Sequence, residues 1–177
     1  QEVLTDTKSF NSALIHALRQ DPDVIVVGEI RDHEAISTAL TAAETGHLVL
    51  ATMHSPNVAH ALERIIGVFE GSAQKQVIMQ LATGLIGILS QQLLASVDRS
   101  GRALAYELLL ANNAVRNLIR EYHLHQLENI MQMGARDGMI LMDDSLHQLY
   151  ARCEISYDTA LTHAREPDKI KSRISKP

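Results

Sequence analysis

The sequence predicts an α/β fold in which two neighbouring strands run parallel. Two short apolar runs, residues 24–27 and 48–52, are each bounded by turn residues, as is typical of buried strands. An amphipathic stretch lies between them, so that strand, helix and strand follow one another along the chain. We therefore expect a βαβ unit whose strands lie side by side or close together in one sheet.

The composition is that of a folded globular domain. The 177 residues suffice for one domain with a sizeable core, since 46% of them are apolar and 21% are charged. A net charge of -5, without a basic run interleaved with aromatic residues, argues against a nucleic-acid-binding surface. No apolar run is long enough to span a bilayer, and no Cys/His spacing indicates zinc.

The single cysteine, Cys153, excludes a disulfide framework and is consistent with a reducing cytoplasm. It lies at helical spacing from Leu146 and Leu149, which predicts a buried core thiol rather than a nucleophile. We therefore assign it no chemistry.

The first helices are placed by their capping residues. Thr7 is the predicted N-cap of a first helix. The apolar face of that helix comprises Phe10, Ala13, Leu14, Ala17 and Leu18. Asp32 is the predicted N-cap of the helix between the two strands, and Gly46 ends that helix just beyond its C-cap. Ser55 and Pro56 predict the start of a third helix, with proline at its first position.

The second half of the chain begins with a long predicted helix over residues 73–90. Two strands, 91–97 and 102–110, follow around a turn at 98–101. The remainder is predicted to be helical. Its N-caps are Asn112 or Asn113, Asp143 or Asp144, and Ser156.

A side chain that can take part in catalysis or ligand binding follows each of the two predicted strands. Glu29 comes after the first strand and Gly28, and His54 comes after the second. Since the carboxyl ends of parallel strands share one edge, where ligands of open α/β sheets bind, the two side chains should converge. Nucleotide hydrolases place an acid there to hold Mg²⁺ or to orient the attacking water. On residues 21–32 alone, a buried strand followed by a surface carboxylate explains the pattern equally well. That alternative does not predict the convergence with His54.

Three stretches, in this order, resemble the motifs of the secretion and pilus ATPase superfamily. Residues 18–32 resemble its Walker B segment, and residues 40–55 resemble its His box. Residues 114–121 read AVRNLIRE and are similar to the AIRNLIRE motif of PilT-type retraction ATPases of type IV pili. Gly138 and Met139, followed by residues 143–149, also resemble the C-terminal end of those proteins. The similarity covers nearly the whole chain.

The resemblance implies a fold and a set of site residues. Residues 1–110 would be the C-terminal portion of a RecA-like ATPase core, 111–166 a helical C-terminal region and 167–177 a flexible tail. Glu29 would be the Walker B acid, acting either on Mg²⁺, directly or through water, or on the lytic water. His54 would be the second catalytic residue, near the γ-phosphate of ATP. The retraction motif would be formed by Arg116, Asn117, Leu118, Ile119, Arg120 and Glu121.

The arginines in and near these motifs are assigned possible roles in charge pairing and in contacts between subunits. Arg116 and Arg120 are four residues apart on one helix face, which predicts either contact with a partner or a neighbouring subunit, or a solvated face beside Glu121. Arg31 is the nearest candidate counter-charge for Glu29. Arg64 would be a charge that reaches across a ring of subunits.

The resemblance also implies partners and a location. Its members assemble as hexameric rings, use ATP and Mg²⁺, and act on an inner-membrane pilus platform protein rather than on nucleic acid. We therefore expect a cytoplasmic protein, peripheral to the inner face of the cytoplasmic membrane, that powers pilus retraction and twitching motility. A single cysteine excludes the tetracysteine zinc site of the extension motors, which favours retraction.

One family motif is missing. The 177 residues contain no Gly-x-x-x-x-Gly-Lys-Ser/Thr, the loop whose backbone N–H groups and lysine bind the phosphates. We therefore expect the P-loop upstream of Gln1, in a longer motor, and expect this polypeptide alone neither to bind ATP tightly nor to hydrolyse it. The alternatives are a non-catalytic ring-forming or protein-binding module, an inactive decoy within rings, and a motor of a related secretion system.

Overall fold

The structure is a computed structural model that describes residues 5–30, 32–98 and 101–174, without the side chains of Phe10, Asn11, Leu14 and Ile174. It is α/β, as predicted. The chain forms two compact units: unit 1 contains the residues up to 86 together with 112–124, and unit 2 contains 87–111 together with the residues from 125 onward. This division differs from the predicted boundary at residue 110, because the hairpin groups with the C-terminal helices.

Unit 1 contains the predicted βαβ arrangement. Its elements are α1 (Phe10–Leu18), β1 (Val24–Val27), α2 (His33–Glu44), β2 (Leu48–Ala51), α3 (Val58–Gly67), α4 (Gly71–Gly84) and α5 (Asn113–Arg120). Strands β1 and β2 pair in parallel, with Val24 opposite Leu48 and Val27 opposite Ala51. The prediction of neighbouring parallel strands is therefore confirmed.

Strand β1 of unit 1 is buried on one face only, and β2 contains no fully buried residue. Ile25 and Val27 pack with Ala39 and Ala42 of α2. The side chain of Val26 is 72% exposed. Val24, Leu48 and Leu50 are also exposed. The prediction of fully buried strands is therefore wrong for this chain, because successive side chains point to opposite faces and the helices cover one of them.

Two of the predicted boundaries of α1, α2 and α3 are confirmed, and two are wrong. Asp32 caps α2 by accepting the N–H of Ala35 at 2.8 Å. Gly46 follows the C-cap with a φ of 101°, a conformation that favours glycine. Helix α1 is capped by Ser9 rather than by Thr7. Helix α3 is capped by Asn57, two residues after the predicted start.

Helix α4 is shorter than the predicted helix over 73–90. It ends at Gly84, and Leu85 is extended, with φ −61° and ψ 130°. Residues 87–90 instead pair with β4 as the first part of a strand. At Gly87 a Cβ would lie 2.8 Å from the carbonyl oxygen of Leu109, so glycine permits this close backbone approach.

Unit 2 is a hairpin covered by helices. Its elements are β3 (Gly87–Ala95), β4 (Arg102–Leu110), α6 (Leu127–Met133), α7 (Met142–Ala151), α8 (Tyr157–His163) and α9 (Pro167–Ile174). Two 3₁₀ turns, Leu124–Gln126 and Gly134–Asp137, flank α6. The antiparallel strands confirm the predicted hairpin. Leu94 and Ala105 pack in one core with Met142 and Leu146 of α7.

Of the predictions for unit 2, the helix cap at Ser156 is confirmed, whereas the cap at Asp143 and the buried thiol of Cys153 are not. Ser156 caps α8, as predicted. Asp143 lies inside the first turn of α7, and its carboxylate accepts the N–H groups of Arg165 and Glu166 instead. Cys153 is exposed, so the prediction of a buried core thiol is wrong. The helical spacing fails because α7 ends before it and Cys153 has a φ of 58°.

The predicted flexible tail differs from the structure. Residues Pro167–Ile174 form α9, and Ile170 is fully buried in the core of unit 2. Arg173 forms an ion pair with Asp144 of α7. A hydrogen bond with Glu166 raises the pKa of Lys169 above its ordinary value. Residues 175–177 lie outside the described part of the chain.

Across residues 5–30, 32–98 and 101–174, no helix combines the length and the apolar character needed to cross a bilayer.

Candidate functional site

The ends of β1 and β2 stay joined beyond the strands. The N–H of Thr52 donates to the carbonyl of Val27 at 3.3 Å, and the N–H of Ile30 donates to the carbonyl of Thr52 at 2.9 Å. The hydroxyl of Thr52 also donates to the carbonyl of Gly28. These bonds hold the two chain segments that leave the sheet close together at its carboxyl edge.

Glu29 and His54 meet at this edge. Glu29 Oε1 lies 3.4 Å from His54 Nε2, a distance at which a protonated imidazole forms an ion pair with the carboxylate. The Glu29 side chain is 23% exposed and that of His54 is 85% exposed. The predicted convergence is therefore confirmed. The arrangement presents a half-buried proton acceptor beside an exposed group that can donate a hydrogen bond.

The loop that carries His54 is anchored by α3. Arg64 Nη1 donates to the main-chain oxygen of His54 at 2.5 Å. At the other end of the loop, the Asn57 side chain accepts the N–H of His60 at 2.9 Å. The hydroxyl of Ser55 donates to the carbonyl of Asn57 at 2.9 Å. The main chain at His54 is therefore held from the helix that follows it.

Sequence reasoning missed these two supports. An asparagine directly before an apolar helical pattern is a recognisable N-cap signal, but the Ser55-Pro56 pair was the stronger match to a helix start. No local signal connects Arg64 to the carbonyl ten residues earlier. In the structure Arg64 contacts its own chain, and its reach to another subunit stays a prediction. Arg31 lies outside the described residues.

A magnesium site at Glu29 would use few protein ligands. Among the described residues, no group of three or more His, Cys, Asp and Glu side chains is placed to hold a metal ion. Mg²⁺ typically retains waters and takes one or two carboxylates together with phosphate oxygens of a substrate. The half-buried carboxylate of Glu29 fits this open kind of coordination, directly or through water, and does not fit a closed protein cage.

The AVRNLIRE stretch lies mainly on α5. Asn112 caps this helix, and Val115 and Ile119 are buried. Leu118 is half-buried, whereas Asn117 and Glu121 are exposed. Helix α5 packs against α4. The role of these side chains at a partner surface stays a prediction.

The two arginines of this stretch do not act alike. Arg116 donates to main-chain oxygens at the end of α4, at 2.9 Å for Ala82 and 3.0 Å for Leu85. Arg120 is exposed and donates to Asn117 on its own helix, at 2.6 Å. Their spacing predicts a common direction, but Arg116 is half-buried against α4, whereas Arg120 is exposed.

Comparison with known proteins gives a consistent family. Residues 5–154 match the family described as "Type II/IV secretion system protein". A "Twitching motility protein" of Neisseria gonorrhoeae is 44% identical over 170 residues, which are 96% of this chain and 46% of that protein. The "Type IV pilus ATPase PilU" of Pseudomonas aeruginosa is 42% identical over 174 residues, which are 98% of this chain and 46% of that protein.

A solved structure is similar to this chain in both sequence and fold. The crystal structure of the pilus retraction motor PilT with bound ADP superposes with a TM-score of 0.88 at 45% identity. The match covers 97% of this chain and 48% of the PilT chain. The chain thus spans about half the length of the curated relatives that it matches.

Proposed function

Because this chain belongs to the type II/IV secretion system protein family, we propose that it is part of an ATP-hydrolysing motor that powers type IV pilus retraction. The observation that carries the proposal is the pair formed by Glu29 and His54, 3.4 Å apart beyond two parallel strands. Two relatives of similar sequence are named for twitching motility and for a type IV pilus ATPase, which supports the same activity here.

Each residue of the pair has a role in this proposal. The carboxylate of Glu29 accepts a hydrogen bond from the attacking water and directs it in line with the γ-phosphorus, or it would hold Mg²⁺ directly or through water. His54 donates a hydrogen bond from its imidazole to a γ-phosphate oxygen. Arg64 and Asn57 keep the His54 loop in place. Mg²⁺ would supply neutralisation of the phosphate charge.

In this proposal another part of the protein binds the phosphates of ATP. The 177 residues contain no P-loop sequence, and a carboxylate beside an imidazole cannot replace a cradle of backbone N–H groups. We place the P-loop in a longer protein, which would also cover the exposed face around Val26. The 177-residue chain alone then neither binds ATP tightly nor hydrolyses it.

The proposal extends to assembly and location. The motor would be a hexameric ring at the cytoplasmic face of the inner membrane, and it would pull on a platform protein of the pilus. Closure of a subunit around ATP and its release after hydrolysis would provide the movement. The absence of a P-loop sequence also supports a second candidate, a non-catalytic ring-forming or protein-binding module.

The test replaces one carboxyl group in the longer protein that contains this chain. We expect Glu29→Gln to lower ATP turnover by about 100-fold or more, because positioned acid–base groups contribute about 10²–10⁴-fold, while ATP binding persists. The control is Glu63→Gln on α3, which removes an exposed carboxylate of the same type. Turnover retained in Glu29→Gln would exclude Glu29 from the reaction. Wild-type protein without turnover would favour the non-catalytic module.

A further inference from the structure

The end of α4 depends on a side chain from α5. The last carbonyl groups of a helix have no partners inside it and need other donors. The N–H of Leu85 donates to the carbonyl oxygen of Leu81. The last turn, Gln-Leu-Ala-Thr-Gly, contains no basic residue whose side chain could donate to the carbonyls that follow. Arg116 supplies these donors: its guanidinium bonds to the main-chain oxygens of Ala82, Thr83 and Leu85.

A guanidinium suits this task better than an ammonium group. Its five N–H donors spread in a plane, so that one side chain can reach several carbonyls that point in similar directions. The positive charge also interacts favourably with the negative end of the helix dipole. Hydrogen bonds from a charged donor are stronger than neutral ones. Arg116 therefore combines the properties of a C-cap and of a link between two helices.

Helix α4 also contacts the helix that starts beside the candidate site. The buried side chain of Gln80 donates from its Nε2 to Glu44 Oε2, at 2.8 Å, and Glu44 is the last residue of α2. The first turn of α2 is held by Asp32, three residues after Glu29. Helix α2 thus runs from the contact with α4 at Glu44 to the segment that carries the acid.

We propose that Arg116 is a positioning residue that clamps the C-terminal end of α4 and, through α4 and α2, couples α5 to the Glu29 segment. The importance of Glu29 in this coupling rests on the function proposed above. The two arginines of α5 thereby divide their roles. Arg116 acts inside unit 1, and Arg120 stays at the surface, which makes Arg120 the matched control.

The experiment measures amide hydrogen exchange in the 177-residue chain without nucleotide. Arg116→Ala should accelerate exchange about tenfold or more at residues 82–86, since hydrogen bonds from a charged donor are stronger than neutral ones. Faster exchange should extend to residues 29–36 but not to α7, whose amides would also exchange faster if the substitution merely lowered the overall stability. Arg116→Lys should give a similar result, because one ammonium group cannot replace the planar set of donors. Arg120→Ala should leave both segments unchanged.

Two results would overturn the proposal. Unchanged exchange at residues 82–86 would show that Arg116 does not clamp α4, and acceleration confined to those residues would show that no coupling reaches Glu29. Arg116→Lys keeps the test valid if Arg116→Ala does not fold. Because no nucleotide is present, the result is independent of ATP turnover, so failure of this proposal and failure of the proposed function can be told apart.

Discussion

Replacing Ile170 by alanine tests whether α9 is an integral part of unit 2. Ile170 is fully buried in the core that contains Leu146, Ile155 and Ala160. The change removes three carbons, worth about 2.4 kcal/mol at about 0.8 kcal/mol each. The remaining cavity raises the expected loss to about 2.5–4 kcal/mol. For a chain of this size, about 2–4 °C per kcal/mol predicts a fall in Tm of about 5–16 °C.

The matched control is Ile86→Ala, which removes the same atoms from a side chain that is 68% exposed. It should change stability by less than about 0.5 kcal/mol. Calorimetric unfolding gives the two Tm values, and amide exchange in residues 167–174 reports whether α9 itself is released. Equal Tm values for Ile170→Ala and the parent chain would refute the packing of α9 and restore the flexible tail.

Two further predictions concern the site and the sheet. Arg64→Gln should accelerate amide exchange around His54, because it removes the charged donor to the carbonyl of that residue. The control Arg152→Gln, at an exposed arginine, should not change exchange there. Equal effects of the two substitutions would assign Arg64 only a general role in stability. We expect the exposed apolar sheet face around Val26 to cause self-association of the 177-residue chain. Val26→Lys should lower the apparent mass in light scattering, because it places a charge on that face. Val97→Lys, a control at another exposed valine, should not, and an unchanged mass for Val26→Lys would exclude this face from self-association.

The parallel strands and several caps were predictable because their signals are local. An apolar run between turn residues, an aspartate before a helix and a glycine after one each report on a few neighbouring residues. The convergence of Glu29 and His54 followed from one topological rule, that parallel strands share their carboxyl edge. These features needed no knowledge of distant contacts.

The errors arose where distant contacts decide. Periodicity continued α4 to residue 90, but the pairing of residues 87–90 with β4 converts that stretch into strand. The polar stretch after Pro167 suggested a tail, but Ile170 and Arg173 attach it to unit 2. A single buried isoleucine among charged residues gives too weak a pattern for sequence reasoning to recognise.

The amino-acid order alone therefore determines the α/β class, the parallel strand pair and the two side chains that meet at its edge, since each depends on spacing within short segments. The tertiary structure alone decides which side chains support that edge. Arg64 reaches the carbonyl of His54, and Arg116 reaches the end of α4, because folding brings together groups 10 and more than 30 residues apart. A long arginine side chain can point in many directions, and only the packed neighbours select one of them.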